Sequence, residues 1–212
     1  MTGAVVGLGI VSMSEVRVAG DSELPGVVAT LAEAFATDPV LSFLFEDPAR
    51  RPSLLAAFFA NRLAGGRGFD EVVVPVDADG GRTCAAVWVP PTEPDGAGPD
   101  FAAVGVANMA LLGEDWAVER LAPLAPLMEA HPVTPHWYLA FVGTLPSARG
   151  RGLASACISE VTRRCDATAH GAYLESSDPA NVPLYERHGF RVVSEVVVRG
   201  GPTVPLMWRD PR

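Results

Sequence analysis

The stretch Ser-Ala-Arg-Gly-Arg-Gly-Leu-Ala at positions 147–154 decides how this chain of 212 residues is interpreted. It follows an apolar, aromatic run at positions 137–142, which is typical of a buried strand. Apolar residues then recur every three or four positions, as in a helix with one buried face, at Ala154, Cys157, Ile158, Val161 and Cys165. The sequence therefore predicts a strand, a glycine loop and a helix in succession.

The loop has the properties of an anion site. The first turn of a helix exposes unpaired backbone N–H groups and carries partial positive charge. Gly150, Gly152 and Ala154 let the backbone approach a phosphate, and Arg149 and Arg151 add full charges, which favours a diphosphate. A P-loop is excluded because it needs a lysine and all 16 basic residues are arginine. The dinucleotide pattern G-x-G-x-x-G is also missing.

This loop resembles the acetyl-CoA pyrophosphate loop of the GNAT family of N-acetyltransferases, Gln/Arg-x-x-Gly-x-Gly/Ala, whose fixed positions are filled by Arg149, Gly152 and Ala154. A second family signature, Asn-x-x-x-Tyr-x-x-x-Gly-Phe, is matched at positions 181–190. Within the family, the resemblance is to the puromycin N-acetyltransferase branch, through positions 86–91, 136–139 and 174–177. The resemblance in sequence extends over positions 136–208; before position 136, only the order of the predicted elements is similar.

The resemblance implies an α/β fold of the GNAT type: a central mixed, mostly antiparallel sheet of about seven strands with a splayed parallel pair, flanked by helices. Residues 1–13 are interpreted as an N-terminal extension, with Met13 a candidate start, and residues 14–212 as a single domain. A hydrophobic content of 49% is ample for one core of that size.

Patterning along the chain places the individual elements. Strands are predicted at 15–18, 70–76, 83–89, 137–142, 172–176, 191–198 and 203–208. Helices other than the one after the loop are predicted at 21–37, 53–63, 101–112, 115–130 and 183–188, with Pro123 and Pro126 interrupting the fourth. Asp38-Pro39 breaks the first helix, positions 77–81 form a hairpin turn, and positions 90–99 form a loop.

By the resemblance, the cosubstrate is acetyl-CoA and no metal is involved. The diphosphate is expected on the loop, at Arg149, Gly150, Arg151, Gly152, Leu153 and Ala154. Pantetheine is expected along the central strand, at Val142, Gly143 and Thr144, where Gly143 suits a bulge or a close neighbour. Asn181 is carried over as a further contact, whereas Asp178, which has the more usual family spacing to the tyrosine, is not.

Two catalytic residues are proposed at this stage. Tyr185 matches the family tyrosine beside the sulfur, where its phenol would protonate the departing thiolate. Glu175 closes the strand next to the cleft, where a partly desolvated carboxylate could take the amine proton directly or through water. A structural role for Glu175 is an equal alternative, and His136 is the reserve base.

The acceptor side is inferred by position in the family. The connection between the first two helices lines it, which gives Phe43, Phe45, Glu46 and Asp47 as substrate-binding candidates, with Trp137 on the strand. Core packing and solvated caps explain the first four equally well.

The implied activity is acetyl transfer from acetyl-CoA to a primary amine of a small molecule, with antibiotics and related metabolites among the candidates, by direct attack in a ternary complex. The alternatives are a protein N-terminal or lysine acetyltransferase and a non-catalytic acyl-CoA-binding regulatory module.

Charge and composition limit the kinds of partner that this protein can have. A net charge of -9 argues against nucleic acid and anionic membranes, and it either favours a cationic acceptor or simply solubilises the surface. Cysteine and histidine spacing matches no zinc site, and the three cysteines are expected to be reduced core residues. No signal peptide or membrane-length apolar run is evident, so we expect a cytoplasmic protein. We also expect it to be a monomer or a homodimer. The arginine-only basic set suggests a GC-rich bacterium.

Overall fold

The structure is a computed structural model that describes residues 15–76, 83–92 and 100–212. Within these residues, seven strands form one sheet in the order β1-β2-β3-β4-β5-β7-β6. The strands are β1 Val16–Val18, β2 Glu71–Pro75, β3 Cys84–Val89, β4 His136–Thr144, β5 Gly171–Glu175, β6 Arg191–Val197 and β7 Thr203–Arg209. Among these strands the β4–β5 pair is parallel and all other neighbours are antiparallel. The predicted fold class is confirmed.

Strands β4 and β5 pair only at their first residues and then separate. Their register runs from His136 opposite Gly171 to Tyr138 opposite Tyr173, although β4 continues to Thr144. On the other side of β4 the register with β3 shifts, which leaves Ala140 as one extra residue. Such a bulge bends a strand and increases its twist. The sheet therefore opens into a cleft between β4 and β5.

Helices cover both faces of the sheet. They are α1 Leu24–Ala34, α2 Pro39–Leu44, α3 Arg51–Gly65, α4 Phe101–Leu112, α5 Glu114–Trp116, α6 Ala125–Glu129, α7 Leu153–Ala167 and α8 Val182–Arg187. α7 packs across β1 to β5 on one face, and α1 packs on β3 and β4 from the other. Between α5 and α6 the chain forms a π turn at Ala117–Leu121 and a 3-10 turn at Ala122–Leu124. Pro123 lies in this interruption, as the sequence predicts, because proline lacks the N–H that a continuous helix needs.

The core is divided by the sheet. Ala85 and Val87 of β3 face the cluster under α1 to α3, whereas Cys84, Ala86 and Trp88 face the cluster under α7. This alternation is the period-two pattern of a strand, and β3 is buried on both faces. The three cysteines are free and buried, as expected for reduced core residues.

Some sequence predictions concern residues that the structure does not describe. They are the extension at 1–13, the turn at 77–81 and most of the loop at 90–99. The antiparallel pairing of β2 with β3 nevertheless confirms the hairpin that this turn was expected to close. Among the described helices, none is both long and apolar enough to cross a membrane.

Candidate active site

A first cavity of about 520 Å³ lies over the N-terminal end of α7. Gly150 and Gly152, in the loop beneath it, have left-handed φ angles of +76° and +78°. A Cβ added to either glycine would meet no protein atom within 4 Å, so space is open in front of the loop. The cavity is lined by most of the residues predicted to bind the cofactor: Val142, Gly143, Thr144, Arg149, Gly150, Gly152, Leu153, Ala154, Asn181 and Tyr185.

The N-terminal end of α7 offers free backbone donors to this cavity. Gly152 is the N-cap residue, and its carbonyl accepts the N–H of Ala156 at 2.9 Å. The N–H groups of residues 153–155 precede that first bond, and no side chain caps the helix. Arg149 and Arg187 add two guanidinium groups to the cavity wall. The end of α7 is thus built to attract an anion.

A second cavity of about 560 Å³ lies in the cleft between β4 and β5. Its walls come from α2 and the residues just before it, from α3, from the middle of β4, and from the stretch that runs from α4 through α6. Most of these residues are apolar. Two carboxylates interrupt this lining, those of Asp38 and Glu175. The second cavity is therefore mostly apolar with two carboxylates, whereas the first is more polar and carries two guanidinium groups beside the carboxylates of Asp38 and Asp178.

The two cavities share part of their walls. The residues common to both are Phe35, Asp38, Val142, Asn181 and Tyr185. The side chain of Asn181 does not cap α8, although the residue stands at its N-cap position. Its amide is free to contact a ligand at this junction.

Tyr185 is held at the junction by its neighbours in the second signature. It lies on α8 and is 8% exposed. Gly189 ends the helix with φ +88°, and Phe190 packs its ring against Tyr185 at 6.3 Å between centroids. Burial raises the pKa of the Tyr185 phenol, and the nearby carboxylates of Asp38 and Asp178 raise that pKa further. The phenol therefore stays protonated at neutral pH.

Glu175 belongs to a cluster of titratable side chains at the end of β5. Its Oε2 accepts the hydroxyl of Tyr138 at 2.6 Å, and its Oε1 lies 3.5 Å from Nδ1 of His131. Burial raises the pKa of Tyr138, and the carboxylate of Glu175 raises it further. Tyr138 is therefore a neutral donor that orients the carboxylate.

His136, the reserve base of the sequence interpretation, stands behind this cluster. Its Nδ1 lies 2.7 Å from the Thr134 carbonyl, which can only accept, so Nδ1 carries the proton. Burial lowers the pKa of His136, which keeps the ring neutral. Its Nε2 is buried and has no hydrogen-bond partner among the described residues. His136 does not line either cavity.

Asp38 is a site residue that the sequence interpretation missed. Its Oδ1 accepts the N–H of Leu41 at 2.9 Å and so caps α2, with Pro39 in the first turn. Its Oδ2 accepts the hydroxyl of Ser177, which ties α2 to the chain after β5. Burial raises the pKa of Asp38, against the hydrogen bonds of Ser177 and Leu41 that lower it. Asp-Pro signals a helix break, but here it also starts the next helix.

The four acceptor-side candidates before α3 do not reach either cavity. Phe45 is 2% exposed and stacks on Trp116, with ring centroids 6.1 Å apart, so it supports the wall from behind. Phe43 packs under the guanidinium of Arg120, which also pairs with Glu46. The Asp47 carboxylate accepts the N–H of residue 49 in an exposed turn, at 2.9 Å. Phe45 packs in the core and Asp47 caps a turn, as in the alternative of the sequence analysis, whereas Phe43 and Glu46 contact Arg120.

Two further predicted site residues also lie outside the cavities. Trp137 is buried in the cluster under α7, on the opposite face of β4 from the cleft, because neighbouring strand residues alternate between faces. Its neighbour Tyr138 faces the second cavity instead. Arg151 is exposed and does not line the first cavity, where Arg187 supplies the second guanidinium. Asp178 caps the 3-10 turn at Pro179–Asn181 while also lining the first cavity.

Comparison with known proteins agrees with this geometry. The model of the acetyltransferase (GNAT) family matches residues 100–190, a little under half of the chain. A crystal structure from Corynebacterium glutamicum, described as histone acetyltransferase HPA2 and related acetyltransferase, is 26% identical, with a TM-score of 0.71 over 94% of this chain and 97% of that one. Arylalkylamine N-acetyltransferase 2 from Aedes aegypti superposes with a TM-score of 0.60 over 93% of this chain and 99% of that one, at 12% identity.

Among curated proteins, an uncharacterized N-acetyltransferase of Schizosaccharomyces pombe is 36% identical over 78 residues. That match covers 35% of this chain and 32% of the yeast protein, so it spans about a third of that relative's length. The chain therefore has the GNAT fold and N-acetyltransferase homologues, and these matches support the GNAT family.

Proposed function

We propose that this protein transfers an acetyl group from acetyl-CoA to a primary amine of a small molecule, by direct attack within a ternary complex. The observation that carries the proposal is the junction of two cavities at Val142, Asn181 and Tyr185. One cavity has the helix end and the guanidinium groups that suit a diphosphate, and the other has two carboxylates that suit an amine. A reaction between two bound substrates needs this arrangement, because it brings the reacting atoms together in one orientation.

The donor is assigned to the first cavity. Its diphosphate would bind the N–H groups at the start of α7, with Arg149 and Arg187 beside it. The left-handed glycines fit this role, since open space lies where their side chains would be. Pantetheine would run along β4 past Gly143 and Thr144, which places the thioester at Val142 and next to Tyr185.

The acceptor nitrogen attacks the thioester carbonyl from the second cavity. Before the attack, Glu175 takes one proton of the ammonium group, directly or through water; the carbon–nitrogen bond then forms, the second amine proton passes to water, and the carbon–sulfur bond breaks. The thiolate then takes the phenolic proton of Tyr185, which gives coenzyme A and the N-acetylated amine. Glu175 suits the role of base because its carboxylate lines the cavity and is oriented by Tyr138.

The structure changes one part of the sequence argument. A phenol with a pKa of about 10 would lose its proton to a thiolate at little cost. Burial and two carboxylates raise the pKa of Tyr185, so the transfer is more uphill than in water. The same burial makes a thiolate at the junction a stronger base, because the charged form loses hydration. We therefore keep Tyr185 as the acid, and we expect its contribution to the rate to lie at the low end of the usual range of about 10²- to 10⁴-fold.

A protein acetyltransferase is the second candidate, and the description of the Corynebacterium glutamicum relative as a histone acetyltransferase favours it. Against it stands the segment from α4 to α6, which walls the second cavity. Trp116 fastens this segment, because its Nε1 donates to the Leu44 carbonyl at 2.7 Å. A cavity walled by this segment leaves less room for an extended peptide than for a small acceptor. The puromycin-like branch, the bacterial source, the cytoplasmic location and a monomeric or homodimeric state remain predictions.

The test is an assay of thiol release from acetyl-CoA with a panel of small primary amines and peptides, in which mass spectrometry identifies the acetylated product. We expect turnover with at least one small amine and none with the peptides. Turnover with peptides alone would establish the protein acetyltransferase. Binding of acetyl-CoA by calorimetry, without turnover on any acceptor, would establish the non-catalytic module.

A further inference from the structure

We infer that the acceptor is a hydrophobic monoamine, an apolar body with one ammonium group, and that Asp38 binds this group beside Glu175. The inference rests on the proposed function and deepens it, since it names the substrate class of the second cavity. It follows from what lines that cavity, from where the charges lie, and from the state of Asp38.

The walls of the second cavity select an apolar body. Aromatic and aliphatic side chains from four parts of the fold face it, among them Leu41, Phe58, Trp116, Leu127 and Phe141. A volume of about 560 Å³ lies in the range of small-molecule sites, which are mostly apolar with a few polar groups that fix orientation. A sugar-based acceptor would leave its hydroxyl groups unpaired against this lining.

The charges of the lining select one cation. Asp38 and Glu175 are the acids among the described lining residues, and no arginine or histidine lines the cavity with them; His131 contacts Glu175 at 3.5 Å from outside the lining. Arg149 and Arg187 belong to the other cavity, so a cationic acceptor meets no repulsion here. A second ammonium beyond the reach of these two carboxylates would face mainly apolar side chains, with the Asn108 amide as a neutral exception, and would lose its hydration without a charged partner.

Asp38 is placed to receive the ammonium group. Its carboxylate has about four acceptor positions; the N–H of Leu41 and the hydroxyl of Ser177 use two of them and the N–H of Val40 faces a third, which leaves room for an ammonium donor. Asp38 lines both cavities, so an ammonium bound to it lies next to Tyr185 and Val142. Burial opposes its ionisation, and binding a cation would relieve that cost. A helix cap alone needs no charge, because asparagine caps equally well.

The substrate class is tested with a matched pair, n-hexylamine and 1,6-diaminohexane, which differ in one terminal ammonium. We expect kcat/KM for n-hexylamine to exceed that for 1,6-diaminohexane by at least about tenfold, the cost of one partly unpaired charge. 2-Phenylethylamine should be accepted as well. Equal or better use of the diamine would overturn the inference and leave the proposed function intact. Turnover with neither amine nor any other acceptor would instead overturn the proposed function.

The role of Asp38 is tested with Asp38→Asn, which keeps the cap and removes the charge. We expect the KM for n-hexylamine to rise at least about tenfold, by a larger factor than any change in the affinity for acetyl-CoA, whose cavity Asp38 also lines. The matched control is Asp100→Asn, because Asp100 caps α4 in the same way, accepting the N–H of Ala103 at 2.8 Å, and does not line the cavity. If both variants keep the wild-type KM, Asp38 is only a cap and the assignment fails.

Discussion

The replacement Tyr185→Phe removes the proposed acid and leaves its surroundings in place. The ring of Tyr185 packs on Phe190, and phenylalanine keeps that contact. A positioned acid contributes about 10²- to 10⁴-fold to the rate. Because burial and the carboxylates of Asp38 and Asp178 raise the pKa of this phenol, it is a weaker acid than tyrosine in water. We expect a fall in turnover of about 10²-fold, or about 2.7 kcal/mol in the barrier.

The assay is single-turnover acetyl transfer at saturating amine, so that product release does not mask the chemical step. Acetyl-CoA affinity, measured by calorimetry, should be unchanged, and so should the melting temperature. A raised pKa also predicts that ionisation of Tyr185 does not lower the wild-type rate up to about pH 10. A Tyr185→Phe variant with full single-turnover rate would refute the role, because another donor would then protonate the thiolate.

Three further predictions follow from particular contacts. Gly143→Ala would place a Cβ 2.9 Å from the Ala34 Cβ, so we expect a loss of about 1–3 kcal/mol in the free energy of unfolding by denaturant titration; wild-type stability would show that α1 can move away from β4. Glu175→Gln should depress the rate most at neutral pH and less at high pH, where the amine has already lost its proton, and a pH profile parallel to wild type would exclude Glu175 as the base. Asp38→Asn should raise the melting temperature at pH 7, because the raised pKa of Asp38 means that its ionised form costs folding stability. The difference in melting temperature between variant and wild type should disappear as the pH falls toward about 3.9, where the aspartate becomes protonated in the unfolded chain as well. A lower melting temperature for the variant at pH 7 would contradict this prediction.

Local signals in the sequence predicted the strand, the glycine loop and the helix that surround the first cavity. The order of strand, glycine loop and helix is set by nearby residues, and Gly152 takes the left-handed conformation that its position at the end of the loop requires. Gly143 accepts the close approach of α1, one of its two predicted uses, while the bulge falls at Ala140. These features depend on a few consecutive residues, so a single sequence reveals them.

The acceptor side depends on which face of an element meets the cleft, and the sequence does not fix that. Trp137 and Tyr138 are both aromatic, and only the register of β4 decides that Tyr138 faces the cavity. Asp38 was interpreted as part of a helix break because its cap of α2 and its bond with Ser177 join segments that are distant in sequence. Long-range packing, rather than local propensity, assembles this half of the site.

The central claim is that acetyl-CoA binds at the start of α7, and the affinity of Gly152→Ala for acetyl-CoA tests it most directly. A methyl group there enters the open space assigned to the diphosphate. Gly200→Ala is the matched control, because Gly200 has φ +76° and equally open surroundings in the β6–β7 turn. Both variants should lose about 1–2 kcal/mol of stability to the left-handed conformation. We predict that calorimetry shows acetyl-CoA binding more than about tenfold weaker for Gly152→Ala alone; equal affinity in both variants would contradict the account.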